Sequence, residues 1–342
     1  MNRFWCNKEI LITGGCGSLG KILVKTIMKK CNPKGIRIYS RDEFKHFDFR
    51  NELERLINNK KLPRIPVSFL IGNIRDKDRL ELAMNNVDIV IHTAALKSIP
   101  ACEYNPSESM KTNIMGSQNV VDAALKTKPQ KVLLISTDKA VSPLNFYGAT
   151  KMCAEKLFIF GNVYAGTEAP IFSCCRYGNV IGSRGSVIPL FKKQIEEDGY
   201  ITLTSEDMTR FWISLSQVAD FIINRIEDMK GAEIYVPKMP SSYVIDVVRG
   251  ILKNKGMEES DIEIKTIGLR ESEKLNETLI NQNEGDYTVE YLQHYIITRD
   301  KQPNPYRAVG SPQYSSDLEG NSSGFLYGDK LYEFLLKSGE LE

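Results

Sequence analysis

The sequence predicts an α/β protein built on a doubly wound parallel sheet. Two observations carry that prediction. Over roughly the first 180 residues, short β-rich runs alternate with longer amphipathic stretches. The first of those runs ends in Thr13-Gly14-Gly15-Cys16-Gly17-Ser18-Leu19-Gly20, a glycine-rich turn poised between a strand and a helix.

Taken in order, the β-branched and aliphatic runs predict strands over 9–13, 36–40, 67–71, 88–92, 131–136 and 171–176. Helical spacing of apolar residues fills the intervals at 21–30, 76–84, 106–125 and 145–160. Past residue 185 the alternation loosens. Helices are expected over 187–197, 217–229 and 244–253, and strands over 200–203, 233–236 and 263–267. The pattern divides into a dinucleotide-binding domain over 1–185 and a smaller α/β substrate domain over 186–342, some segments of which return to the first. The stretch 302–326 is rich in Pro, Ser, Gly and Asn and reads as loop, with a last helix over 328–337.

Composition narrows the class. The 342 residues are 42% hydrophobic and 26% charged, as in an ordinary globular chain with a sizeable core. A net charge of +2 makes no case for nucleic acid or a membrane surface. The apolar runs are strand-sized, and the N-terminal residues lack the apolar stretch of a signal peptide. Seven cysteines without a C-x-x-C pair argue against a disulfide framework and a zinc site. The three histidines, His46, His92 and His294, are too scattered for a metal site or a Ser-His-Asp triad. A cytoplasmic enzyme without a metal is expected.

The glycine-rich turn explains itself chemically. Gly14, Gly17 and Gly20 permit the tight turn, close approach of backbone to a pyrophosphate, and packing of helix on strand. Cys16, Ser18 and Leu19 complete the loop, and the pyrophosphate meets the positive end of the helix dipole. The second strand ends at Ser40, followed by Arg41, Asp42 and Lys45. Where an NAD enzyme places an acid for the ribose 2′-hydroxyl, Arg41 and Lys45 can grip a 2′-phosphate, so NADP is the expected cofactor. Asn73 and Ile74, after the third strand, are expected against the adenine. Thr93, Ala94 and Ala95, after the fourth, are small enough for backbone to pass beneath the cofactor.

The fifth strand ends in Ser136-Thr137-Asp138-Lys139, and Tyr147 and Lys151 follow on a helix. Four residues apart, Tyr147 and Lys151 share a helix face. The lysine charge favours the phenolate, which can take a proton from an alcohol while hydride leaves for nicotinamide.

These motifs together resemble the extended short-chain dehydrogenase/reductases. More specifically, the runs 11–20, 92–100, 136–140, 147–151, 176–187 and 208–212 resemble the inverting UDP-N-acetylglucosamine 4,6-dehydratases of the pseudaminic-acid pathway. The resemblance covers about residues 8–295. It implies a Rossmann-type fold, NADP, a UDP-sugar substrate and a homo-oligomer, dimer or hexamer. It also implies that Lys139 removes the C5 hydrogen, that Asp138 protonates the departing C6 hydroxyl, and that Thr137 belongs to the same catalytic group. For Lys139 to act as a base its pKa must fall below the usual value. Asn113 is expected to bend its helix and to help position the lysine. Lys97, Asn179, Val187, Arg210, Arg270 and Glu273 are expected around the sugar nucleotide, with Val180 near nicotinamide. Where the family has Pro-Gly after its arginine, this chain has Glu271-Ser272, so the loop is expected to differ in shape. Alternatives share part of the motif set. A retaining dehydratase or bifunctional dehydratase/5-epimerase differs only in stereochemistry. A 4-epimerase needs Tyr147 and Lys151 but not Asp138 and Lys139, and a non-catalytic regulator needs none of the four.

Overall fold

The computed structural model describes residues 3–182, 186–300, 313–321, 324–339 and 341. The chain forms two compact units. The first comprises Met1–Ser136, Ala149–Arg176 and Ser216–Tyr235; the second comprises Thr137–Gly148, Tyr177–Leu215 and Val236–Glu342. The sequence suggests a main boundary near residue 185 with some later segments returning to the first domain; the two units interleave. The segments expected over 217–229 and 233–236 of the second domain lie largely in the first unit, and the turn over 137–148 lies in the second.

The first unit is a Rossmann-type layer. Its strands are β1 (Glu9–Thr13), β2 (Gly35–Ser40), β3 (Val67–Ile71), β4 (Ile89–His92), β5 (Lys131–Ile135), β6 (Ile171–Cys175) and the start of β7 (Ile234–Pro237). They run β3-β2-β1-β4-β5-β6-β7, with every neighbouring pair parallel. Central strands of such a sheet are covered on both faces, which is why Ile10, Leu11 and Ile12 are all fully buried. Helix α1 (Ser18–Lys30) turns Leu23, Val24, Ile27 and Met28 inward at helical spacing. The strand order reverses between β1 and β4, the switch point at which such sheets bind ligands.

The helix expected over 106–125 is interrupted. Pro106–Ser109 runs into a π-helical stretch, Met110–Met115, before the α-helix Gly116–Thr127. Such stretches recur at functional sites.

The second unit has its own core. Ile188, Phe191, Ile201, Trp212, Val244, Val248, Ile251, Leu331 and Leu335 pack together. A three-stranded sheet joins Asn179–Val180, Thr209–Ile213 and Ser241–Tyr243, and Tyr200–Leu203 pairs in parallel with Glu263–Thr266. The expected terminal helix is Gly328–Lys337. The expected loop over 302–326 contains a short strand, Tyr314–Ser315, pairing with Thr278–Ile280; its parts over 302–312 and 322–323 lie outside the described residues. Among the described residues no helix is long and apolar enough to cross a membrane.

Candidate active site

The turn after β1 forms a cradle. Gly14 has φ +69°, and a Cβ there would stand 2.8 Å from Thr93 Oγ1 and 2.9 Å from Ala94 backbone. The glycine turn and the Thr93–Ala95 run thus meet at the switch point. A Cβ on Gly20 would lie 2.5 Å from Gly15 Cα, so α1 reaches the turn only because residue 20 is glycine. Helix α1 begins at Gly17 without a side-chain cap and with no acid in its first turn. Its first amide N–H groups and positive dipole end suit a pyrophosphate. Cys16 is buried, and burial pushes its thiol pKa up although Ser40 hydrogen-bonds it.

At the end of β2, Asp42 caps helix α2 (Glu43–Asn58). It accepts from Lys45 N at 3.0 Å and pairs with Lys45 Nζ at 2.8 Å. The acid here is held by its own helix, and Arg41 beside it is exposed. Asn73 Oδ1 accepts from Arg75 N, a local turn that fixes the bend after β3, and Ile74 is buried against Gly116.

Tyr147 and Lys151 lie on the helix Phe146–Ala165. Lys151 is 3% exposed and donates to Ile135 O at 2.7 Å. Burial, only partly offset by Glu155, lowers its pKa from 10.5 to about 8. Asn113, buried in the π-helical stretch, is a stitch. Its Oδ1 accepts from Leu96 N at 2.8 Å, and its Nδ2 donates to Leu96 O at 2.9 Å and to Thr150 Oγ1 at 3.0 Å. It therefore braces the residue next to Lys151 by direct contact. His92 has a structural role: it lies between Thr13 and Ser117 and stacks on Phe158, and burial lowers its pKa to about 3.

The second unit gathers charge. Thr137 caps a short 3₁₀ turn, Asp138–Ala140. Asp138 is fully buried. Its Oδ1 accepts from Thr137 Oγ1 at 2.8 Å, Lys139 N at 2.9 Å and Lys139 Nζ at 3.1 Å. Its Oδ2 has no hydrogen-bond partner among the described residues. Burial, reinforced by Glu277, raises the Asp138 pKa, although Lys139 opposes the shift. Gly148, in the first turn of the helix Phe146–Ala165, lies close against this turn; a Cβ there would fall 2.1 Å from Lys139 O.

Lys139 corrects the sequence reading. Burial favours its neutral form, but Asp138 and Glu277 outweigh it and hold the pKa above the usual lysine value. Lys139 Nζ lies 3.3 Å from Glu277 Oε1 and donates to Asn179 Oδ1 at 3.4 Å. Sequence reasoning gave Glu277 no role, although it stands only four residues after Glu273, in the same run, 268–277, as Arg270. It is 3% exposed, and its backbone is fixed by reciprocal bonds with Ser316.

The remaining substrate candidates divide. Arg210 is buried and donates to Thr209 O, Lys274 O and Leu275 O, while pairing with Glu273 at 3.7 Å. It pins the loop that carries Glu277. Ser272 in that loop has φ +65°, a left-handed bend at a residue with a Cβ. Arg270 is exposed and its N–H donates to Glu273. Val180 is paired with Ile213, Val187 opens the helix Val187–Lys193, and Lys97 sits on the exposed stretch after β4.

A Rossmann-type sheet with a glycine cradle, a Tyr-x-x-x-Lys helix and an Asp-Lys turn defines an extended short-chain dehydrogenase/reductase. Residues 10–299 match the family described as polysaccharide biosynthesis protein, and the chain belongs to that family. It is 44% identical to the inverting UDP-N-acetylglucosamine 4,6-dehydratase of Campylobacter jejuni serotype O:23/36, across 85% of this chain and 83% of that one. An uncharacterized membrane protein of Methanocaldococcus jannaschii is 41% identical over 98% of this chain and 97% of its own. A UDP-glucose 4-epimerase of Rickettsia conorii is 39% identical over 86% and 84%. The crystal structure of Pen from Bacillus thuringiensis superposes with a TM-score of 0.87 at 36% identity, covering 99% of this chain and all of that one.

Proposed function

We propose that the chain dehydrates UDP-N-acetylglucosamine to a UDP-2-acetamido-2,6-dideoxy-4-hexulose, inverting C5. The observation that carries this reading is the buried Asp138–Lys139 turn, packed against the start of the Tyr147 helix. The similarity to the Campylobacter dehydratase supports it. NADP, when bound at the glycine cradle, supplies the acceptor for hydride from C4 and the donor of hydride to C6. The uncapped start of α1 fits its pyrophosphate, and Arg41, beside an Asp42 already engaged by Lys45, favours the 2′-phosphate.

The chain's own residues then divide the proton work. Tyr147, its phenolate favoured by Lys151, takes the C4 hydroxyl proton. The resulting ketone acidifies C5, and Lys139 removes that hydrogen. Asp138 protonates the C6 hydroxyl as it leaves. Reprotonation of C5 from the opposite face inverts the centre. Arg210, Arg270, Glu273, Asn179, Val187 and Lys97 complete the proposed sugar-nucleotide contacts, with Val180 by the nicotinamide.

Incubation with UDP-N-acetylglucosamine and mass spectrometry is the test. Loss of one water without added reductant is expected, and heavy water with NMR at C5 reads the stereochemistry. The Rickettsia relative favours a second reading, 4-epimerisation, which would leave the mass unchanged. Asp138 and Lys139 weigh against it, because epimerisation at C4 uses no acid–base pair at C5 and C6. The proposal extends to a homo-oligomer, supported by exposed Phe160, Val163 and Tyr164 on the helix Phe146–Ala165. It extends also to the cytoplasm, supported by seven cysteines of which none is disulfide-bonded.

A further inference from the structure

The described acid–base groups leave a gap. A base needs a lone pair, yet Lys139 rests between two carboxylates, with Asp138 Oδ1 at 3.1 Å and Glu277 Oε1 at 3.3 Å. Such a lysine is an ammonium. Something must take its proton before it can take one from C5.

Glu277 is placed for that. Its carboxylate is buried, one oxygen faces Lys139, and the other, Oε2, has no hydrogen-bond partner among the described residues. Its backbone cannot drift: Glu277 N donates to Ser316 Oγ at 2.9 Å, and Ser316 N donates to Glu277 O at 2.8 Å. Asp138, at 3.1 Å, is the competing acceptor, since a proton from Lys139 would make it the C6 acid; a Glu277→Gln variant with unchanged rate would mark that route.

We propose that Glu277 is a positioning residue that acts through Lys139, receiving its ammonium proton and so making it the C5 base. The inference rests on the dehydratase reading above. In the step, one N–H bond of Lys139 breaks and one O–H bond forms on Glu277. The nitrogen keeps the electron pair, and net charge is unchanged. Substrate binding drives it. The Lys139 side chain is 18% exposed, and covering it with the sugar removes water from the ion pair. Desolvation disfavours the charged pair relative to amine and carboxylic acid. The other charged groups of this cluster are Asp138 on the 3₁₀ turn, Arg210 on Thr209–Ile213, and Lys274 and Glu273 on the Glu277 loop. At rest burial favours the protonated acid, but Lys139, Arg210 and Lys274 outweigh it and hold Glu277 below the usual glutamate pKa.

The test compares wild type, Glu277→Gln and Glu277→Asp for water loss, for C5 hydrogen exchange in heavy water, and for reduced nicotinamide on the enzyme. Glu277→Gln is expected to lose about 100-fold in water loss and C5 exchange at neutral pH, the scale of one acid–base group. It should still oxidise C4, so reduced nicotinamide accumulates. Its rate should climb with pH as Lys139 loses its proton to solvent, and Glu277→Asp should recover part of the rate. A Gln variant with the wild-type rate and pH profile overturns the proposal. So does a loss that is flat across pH and includes C4 oxidation, which marks a merely structural residue. If wild type itself releases no water from UDP-N-acetylglucosamine, the dehydratase reading falls and takes this proposal with it.

Discussion

The glycine cradle of the first unit and the charged cluster of the second are built on opposite principles. The cradle is backbone and small side chains; its specificity lies in where a carbon atom is absent, at Gly14 and Gly20. Its neighbouring polar groups are mostly committed: Thr93 to Thr13, Asp42 to Lys45, Asn113 to Leu96 and Thr150. The cluster is the reverse. Asp138, Lys139, Glu277 and Arg210 bring charge into a buried setting, and one oxygen each of Asp138 and Glu277 has no hydrogen-bond partner among the described residues. Unsatisfied buried polar atoms are costly, and they persist where a function needs them. On the proposed function the contrast separates binding from proton transfer, and it can be broken by experiment.

The largest expected effect is on the cluster. Lys139→Ala should lose water elimination by about 10²–10⁴-fold, the range for a general base, while cofactor affinity stays within about two-fold. Rates come from mass-spectrometric assay and affinity from calorimetric titration. A variant that also loses the cofactor would break the separation.

Gly20→Ala is the counterpart in the cradle. The new Cβ would sit 2.5 Å from Gly15 Cα, with no flexible side chain to yield. Overpacking of this kind costs about 1–3 kcal/mol, and here it pushes α1 off the turn it serves. Weakened cofactor binding and a lower denaturation midpoint are expected together. Unchanged cofactor affinity would show that the turn does not hold the pyrophosphate.

Lys151 sharpens the comparison because it is a buried charge in the first unit, outside the Asp138–Glu277 cluster. Its pKa is lowered from 10.5 to about 8, so at neutral pH the fold bears the cost of a buried ammonium. The sign follows from proton counting. Between about 8 and 10.5 the unfolded chain binds more protons than the folded one, so stability rises with pH across that window. Lys151→Met should therefore be inactive yet more stable at pH 7 by about 1–3 kcal/mol. That advantage should shrink as pH climbs from about 8 towards 10.5. Urea denaturation at several pH values measures it, and a pH-independent difference would contradict the buried ammonium.

The two regions also differed in how far the sequence revealed them. The strands and the cradle were legible because parallel strands are continuous apolar runs and glycine turns leave a spaced signature. Asp138, Lys139, Tyr147 and Lys151 were legible because they lie close together in the chain. Glu277 was not assigned a role, since only folding brings the 268–277 loop to Lys139, although its place at the end of a motif-like run was a usable signal. For the same reason the lysine was expected to be depressed in pKa: burial could be inferred, but the second carboxylate could not. A bend at Asn113 was expected from the resemblance, but its π-helical form was not, because an extra residue per turn is a matter of hydrogen bonding. Which later segments return to the first unit was hidden, because 216–235 is claimed by the pairing of Ile234 and Tyr235 with Cys174 and Cys175 on β6, a partnership that no local pattern announces.

The smallest expected effect lies in the loop that supports the cluster. The sequence suggested that Ser272, standing where the family has glycine, would change the loop's shape. In that loop Ser272 takes φ +65°, a left-handed conformation, with Asn145 Nδ2 donating to its carbonyl at 3.4 Å. A left-handed conformation costs a residue with a Cβ about 1–2 kcal/mol. Glycine removes that strain but adds freedom to the unfolded chain, which offsets about half of the gain. Ser272→Gly should therefore stabilise the protein by under about 1 kcal/mol, read as a rise in the urea midpoint. Because Arg210 already fixes the loop through the carbonyls of Lys274 and Leu275, turnover should not change. Lost stability would mean that Ser272 does not hold the left-handed bend. Altered turnover at unchanged stability would mean that the bend sets the position of Glu277 more directly than the Arg210 contacts do.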